Sequence, residues 1–147
     1  MKGLKTFTIL SVLVCVLFLF AGCDLSHKHY TDNYGVCRSC GTDITVTIKK
    51  DAANNYLPTE FMLQHNTDTY LKFVSNGESK ITITINTSSP VVKSIVLYSK
   101  SDDYIASKYD SSNPVLVYEE PLTANETYYI KIQSTNSGKA NVVIEAE

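Results

Sequence analysis

Residues 44–48 read Ile-Thr-Val-Thr-Ile, and residues 81–86 read Ile-Thr-Ile-Thr-Ile-Asn. Apolar and polar side chains exchange at every step. A strand turns such a pattern into one buried and one wet face, whereas a helix would smear both kinds round its cylinder. The same signature, less strict, recurs at 61–65, 70–74, 91–98, 104–107, 115–118, 128–133 and 140–144, with Ser, Asp, Asn, Gly and Pro between the runs. Those residues punctuate strands. Past residue 44 no long helical period occurs, and only 51–56 offers room for a single helical turn. Eight or nine short strands over residues 42–147 therefore predict an all-β domain, an antiparallel β-sandwich of two packed sheets.

Two turns add detail. Ser137-Gly138 separates the last two runs, and a glycine free to take positive φ predicts that they form a hairpin. Pro114 and Pro121 bracket 115–120, so that strand should be short and either peripheral or sharply ended, because proline cannot donate to a ladder.

Ahead of the strands lies a segment of another kind. Lys2 and Lys5 precede an apolar run over residues 7–20, interrupted only by Thr8 and Ser11, which ends in Leu19-Phe20-Ala21-Gly22-Cys23. This is the pattern of a secretory signal helix. As a retained span, fourteen residues at ~1.5 Å each would fall short of a ~30 Å hydrocarbon core. The Ala21-Gly22-Cys23 ending resembles a bacterial lipoprotein signal. The resemblance implies cleavage after Gly22, a diacylglyceryl group on the Cys23 sulfur and often an acylated (palmitate-bearing) amino terminus. With two or three chains at ~0.8 kcal/mol per buried methylene, attachment to a membrane would be durable. Asp24 resembles an inner-membrane retention signal of enteric bacteria, a rule that fails in other phyla, so the choice of membrane stays open. The expected location is the extracytoplasmic cell envelope.

Loss of residues 1–22 removes two of thirteen basic residues and none of fifteen acidic ones. A mature chain with that acidic excess has no basic stripe for nucleic acid and no polybasic contact for anionic lipid. Attachment would rest on the lipid alone.

Residues 23–41 are polar, without apolar period, and read as a short irregular linker. They hold one constellation with chemistry: His27, His29, Cys37 and Cys40, four metal-binding side chains within fourteen residues. Two thiolates and two imidazoles satisfy a tetrahedral zinc ion, and Cys37-Arg38-Ser39-Cys40-Gly41 is a turn in which two sulfurs can face one ion. The segment resembles half of a zinc ribbon, which implies a structural Zn²⁺. A Cys37–Cys40 disulfide is the alternative, since neighbouring thiols oxidise outside the cytoplasm.

A further resemblance covers residues 60–147. Ile95-Val96-Leu97-Tyr98, then the corner Leu122-Thr123-Ala124-Asn125-Glu126-Thr127-Tyr128-Tyr129-Ile130, then Gly138 and Val142-Val143-Ile144 look like the bacterial pre-peptidase C-terminal domain. In that family a glycine usually stands where this chain has Asn125-Glu126. The resemblance implies a jelly-roll-like sandwich serving as an accessory, targeting or ligand-binding module.

Nothing frames a catalytic site. His65 is the one histidine of the sandwich and reads as a polar residue at a strand end, and the acidic pairs Asp102-Asp103 and Glu119-Glu120 read as solvated. Tyrosines 98, 104, 109, 118, 128 and 129 fall in or beside strands, where some should face the core and an exposed row would suit a glycan or protein ligand. The expected protein is thus a non-enzymatic, membrane-anchored lipoprotein displaying a β-sandwich binding module. Its alternatives are a metal-binding envelope sensor or carrier using the His/Cys stub, and the accessory remnant of a modular secreted hydrolase.

Overall fold

The structure, a computed structural model, describes residues 30–88, 91–101, 103–109 and 114–147. Cys23, His27 and His29, and with them the signal and its cleavage site, lie outside the described residues. Nine strands form two sheets: β1 (Val46–Thr47), β2 (Thr59–Leu63), β3 (Asp68–Val74), β4 (Ile81–Thr87), β5 (Val92–Ser99), β6 (Asp103–Lys108), β7 (Val115–Tyr118), β8 (Thr127–Ser134) and β9 (Gly138–Ala146). One sheet has the order β1-β3-β8-β5-β6 and the other β2-β9-β4-β7. The β-sandwich expected from the alternation is what forms.

Period two decides what lies between the sheets. Leu71 and Phe73 of β3, Ile95 and Leu97 of β5, and Ile130 and Ile132 of β8 point inward from the first sheet. They meet Phe61 and Leu63, Ile81, Ile83 and Ile85, Leu116, and Val142 and Ile144 from the second. Nearly all are under 5 % exposed. Burying a side chain of this size stabilises the fold by about 1.5–3 kcal/mol. The corner before β8 is closed by Tyr128, whose hydroxyl accepts the Thr123 N–H at 2.9 Å. Asn125 takes φ 64° there, supplying the left-handed turn that a glycine would otherwise provide. β7 lies at the edge of its sheet, as its flanking prolines required.

Three expectations need correction. The last two strands are not a hairpin: β8 pairs with β3 and β5, while β9 pairs with β2 and β4 in the opposite sheet. Residues 134–138 instead form an arch between sheets. Buried Ser134 holds it, its hydroxyl 3.2 Å from Gln64 O and 3.0 Å from Asn136 O, and Gly138 is not among the glycines with positive φ. The pairing is also not wholly antiparallel, because β1 runs parallel to β3, Val46 opposite Leu71. Finally, residues 30–41 are folded onto the sandwich rather than extending from it as a linker.

Candidate functional site

Residues 30–45 form a stub built from local turns. Asp32 Oδ1 accepts the backbone N–H groups of Tyr34 and Val36, both at 2.9 Å. Isolated bridges join Thr31 to Cys37 and Val36 to Asp43. Gly35 makes the docking possible. It has φ +75°, and a Cβ there would stand 2.7 Å from Thr45 Cγ2 and 2.8 Å from Tyr70 Cβ. Only a glycine lets the backbone lie so close to the sheet.

The surface beneath the stub is the outer face of the five-stranded sheet. Strand register sets Lys72, Tyr129, Tyr98 and Tyr104 side by side across β3, β8, β5 and β6, with Tyr70, Lys131 and Val96 in the adjacent row. These are outward positions, yet Tyr70 is only 3 % and Tyr129 only 8 % exposed. The stub covers them. Tyr34 packs edge-on against Tyr129 with ring centroids 5.1 Å apart, and its hydroxyl donates to Asp103 Oδ1 at 3.1 Å. Burial and the Asp103 carboxylate raise the Tyr34 pKa above the usual phenol value, keeping the hydroxyl a donor. The Thr31 hydroxyl donates to Tyr70 Oη at 2.8 Å. Lys72 Nζ meets Asp43 Oδ2 at 2.5 Å. Burial pushes the Asp43 carboxyl up, but the bonds from Lys72 and Thr45 outweigh it and hold the group down at about 2.

Of the remaining tyrosines flagged in the sequence, Tyr128 belongs to the core and Tyr118 packs against it. Tyr104 and Tyr109 are 56 % and 73 % exposed. The exposed part of the tyrosine row is therefore at the β5–β6 end, where the stub reaches only as far as Asp103 through Tyr34.

At the other end of the same face the stub leaves a groove of about 1010 Å³. Tyr30, Arg38 and Ile44 of the stub form one wall, and Met62, Gln64 and Asn66 from β2 and the turn after it form the opposite one. Asp68, Tyr70 and Lys131 lie along its floor. Lys131 Nζ meets Asp68 Oδ2 at 3.0 Å. Burial pulls the Lys131 pKa down, and the bond and charge of Asp68 more than reverse this and raise it. Arg38 is exposed, its backbone N–H fixed on Tyr30 O at 2.9 Å, and it takes part in no ion pair among the described residues. No periodicity in the sequence signals this groove, because part of its lining comes from the stub.

A second cleft, about 590 Å³, opens beside Tyr56, Asn76 and Glu78. Glu78 is fully engaged by its own surroundings. It accepts from Tyr56 Oη at 2.6 Å, from the Ser75 hydroxyl and from Asn76 N at 3.1 Å, with Lys50 Nζ 3.8 Å away. Burial raises its carboxyl, and the bonds from Ser75, Tyr56 and Asn76 overcome that and hold it below the usual carboxylate range. The arrangement fastens the loop before β2 to the loop after β3.

The expected metal ligands are only partly described. Cys37 is 1 % exposed inside the stub, and Cys40 stands exposed with its Sγ 3.2 Å from the Thr42 hydroxyl oxygen. Cys37 takes part in no disulfide, so a Cys37–Cys40 bridge is not formed. Among the described residues no three of His, Cys, Asp and Glu are grouped to hold a metal. His65, just past β2, is exposed and hydrogen-bonded through Nδ1 to Thr135 O, with Asn66 Nδ2 3.0 Å from its Nε2. Asp103, Glu119 and Glu120 are exposed as expected.

No family model matches the chain, and no curated protein does. Solved structures do. A periplasmic inhibitor of g-type lysozyme from Aeromonas hydrophila superposes with TM-score 0.53 at 10 % identity, covering 70 % of this chain and 96 % of its own. The pre-peptidase C-terminal domain of a Bacillus anthracis collagenase gives 0.52 at 14 % identity over 69 % and 94 %. A surface-associated copper-binding protein of Methylomicrobium album gives 0.53 at 8 % identity over 70 % and 98 %. The likeness is one of fold. It includes the pre-peptidase type of sandwich that the Leu97-Tyr98 strand and the Tyr128 corner resemble.

Proposed function

We propose that this chain is a lipid-anchored protein of the bacterial envelope that displays a non-catalytic β-sandwich as a binding module. The carrying observation is the signal ending Ala21-Gly22-Cys23, seven residues ahead of a stub that folds directly onto the sandwich. The periplasmic inhibitor, the surface copper-binding protein and the collagenase accessory domain support the reading, since each places a sandwich of this fold outside the cytoplasm or in an accessory role.

Intact-mass measurement of the mature protein, non-reduced, tests the anchor. A lipidated Cys23 carries the mass of its acyl chains. Membrane retention lost in Cys23→Ser supports the proposal. A mature protein without acyl mass, released equally from wild-type and Cys23→Ser cells, overturns it.

A further inference from the structure

Arg38 is the only arginine in the chain, and the stub places it on the wall of the 1010 Å³ groove. The two lysines on this part of the sheet are already neutralised, Lys131 by Asp68 at 3.0 Å and Lys72 by Asp43 at 2.5 Å. Among the described residues Arg38 is in no ion pair, and its side chain is the one best shaped to take a carboxylate through two parallel N–H···O bonds; Lys93, with Nζ 3.4 Å from Asn66 Oδ1, adds a second unpaired positive charge at the Asn66 end. Beside it the Tyr30 ring is 69 % exposed. The groove is also lined by the exposed side-chain amide of Gln64, which can donate and accept at once, and by Asn66, whose amide is engaged by His65 and Lys93.

We propose that this groove binds a strand of acidic polysaccharide, sugar units that bear carboxylates. Arg38 takes the carboxylate, Tyr30 stacks on a sugar face, and Gln64 bonds hydroxyl and amide groups. The volume lies at the upper end of the ~300–1,000 Å³ typical of ligand sites, which leaves room for several rings. An extended peptide fits less well, because β1 already pairs with Leu71 and Lys72 and leaves only Asp68–Tyr70 of the β3 edge for strand addition. The choice of an envelope polysaccharide rests on the extracytoplasmic reading above, whereas the site itself does not.

The stub acquires a role by this assignment, because Tyr30 and Arg38 reach the groove only while Gly35 lies against Tyr70. The test is calorimetry on the full mature protein in detergent. The probes are peptide-free glycan strands of alternating N-acetylglucosamine and N-acetylmuramic acid, and chitohexaose, which shares the backbone and lacks the lactyl carboxylates. The strands should bind about tenfold or more tightly than chitohexaose. Arg38→Ala should bring them down to the chitohexaose level, and Tyr30→Ala should weaken both probes, with circular dichroism unchanged because both side chains are exposed. Absence of strand binding to the wild type, equal affinity for the two probes, or an Arg38→Ala protein that binds strands as the wild type does overturns the proposal. Membrane retention through Cys23 is read separately, so failure of this site and failure of the anchor are distinguishable.

Discussion

The two outer faces of the sandwich are built on the same strand period and end in opposite conditions. On the five-stranded sheet the outward residues Tyr70, Val96 and Tyr129 are all under 9 % exposed. On the four-stranded sheet the outward residues are Thr82, Thr84, Asn86, Asn141 and Val143, with Val117 and Met62 at its margins 45 % and 55 % exposed. The first face is coated and the second is bare. Large aromatic outward residues mark the coated one, and threonine with asparagine marks the other, so the outward half of an alternating pattern carries information that the inward half does not.

The strongest way to break this contrast is Tyr70→Ala. An outward tyrosine on a bare face would cost little, but here the change opens a cavity beneath the stub and deprives Thr31 of its partner. We expect a loss of about 3 kcal/mol in chemical denaturation. A loss below ~0.5 kcal/mol would mean that the face is not covered.

Gly35→Val should follow, at about 2–3 kcal/mol, since it adds a clash with Tyr70 to the strain of a positive φ. Nitration of Tyr129 should rise in this variant while the strands of the sandwich keep their amide protection. Unchanged nitration would remove Gly35 from the account.

Acid should loosen the coated face through Asp43. Its folded pKa, about 2, lies below the ordinary aspartate value of 3.8, so the contribution of the Lys72 pair is present above pH 3.8 and is lost as pH falls towards 2. Asp43 is 45 % exposed, and the pair is accordingly worth no more than about 1 kcal/mol. Hydrogen exchange at Thr45, whose N–H donates to Asp43 Oδ1 at 2.9 Å, should accelerate over that window. Asp43→Asn should flatten the dependence. The smallest effect belongs to the bare face, where Thr82→Ala should leave stability within about 0.5 kcal/mol. A larger loss there would show that this face too is covered.

The inward half of the sandwich was legible in the sequence. Ile81, Ile83 and Ile85 announce a half-buried strand, and eight more runs do the same with boundaries displaced by a residue or two. The arch at Ser137-Gly138 was not, because turn chemistry permits a chain reversal without saying whether the next strand stays in the sheet or crosses to the other. The parallel pairing of β1 was hidden for the same reason. Of the candidate site almost nothing was legible. The docking of the stub depends on Gly35 meeting Tyr70, residues thirty-five positions apart with no period between them. Arg38 drew attention only as a spacer between two cysteines.

The docked stub also sets a leash length. From Cys23 to Tyr30 there are seven peptide steps, and at ~3.3–3.6 Å each they span no more than about 25 Å when fully extended. With lipid on Cys23, the wall of the groove at Tyr30 would be confined to a layer of that depth above the bilayer. A free linker running to residue 41 would have allowed more than twice the reach, so under the proposed anchoring the folded stub would trade range for height, and a ligand of this groove would have to come down to the membrane to be held.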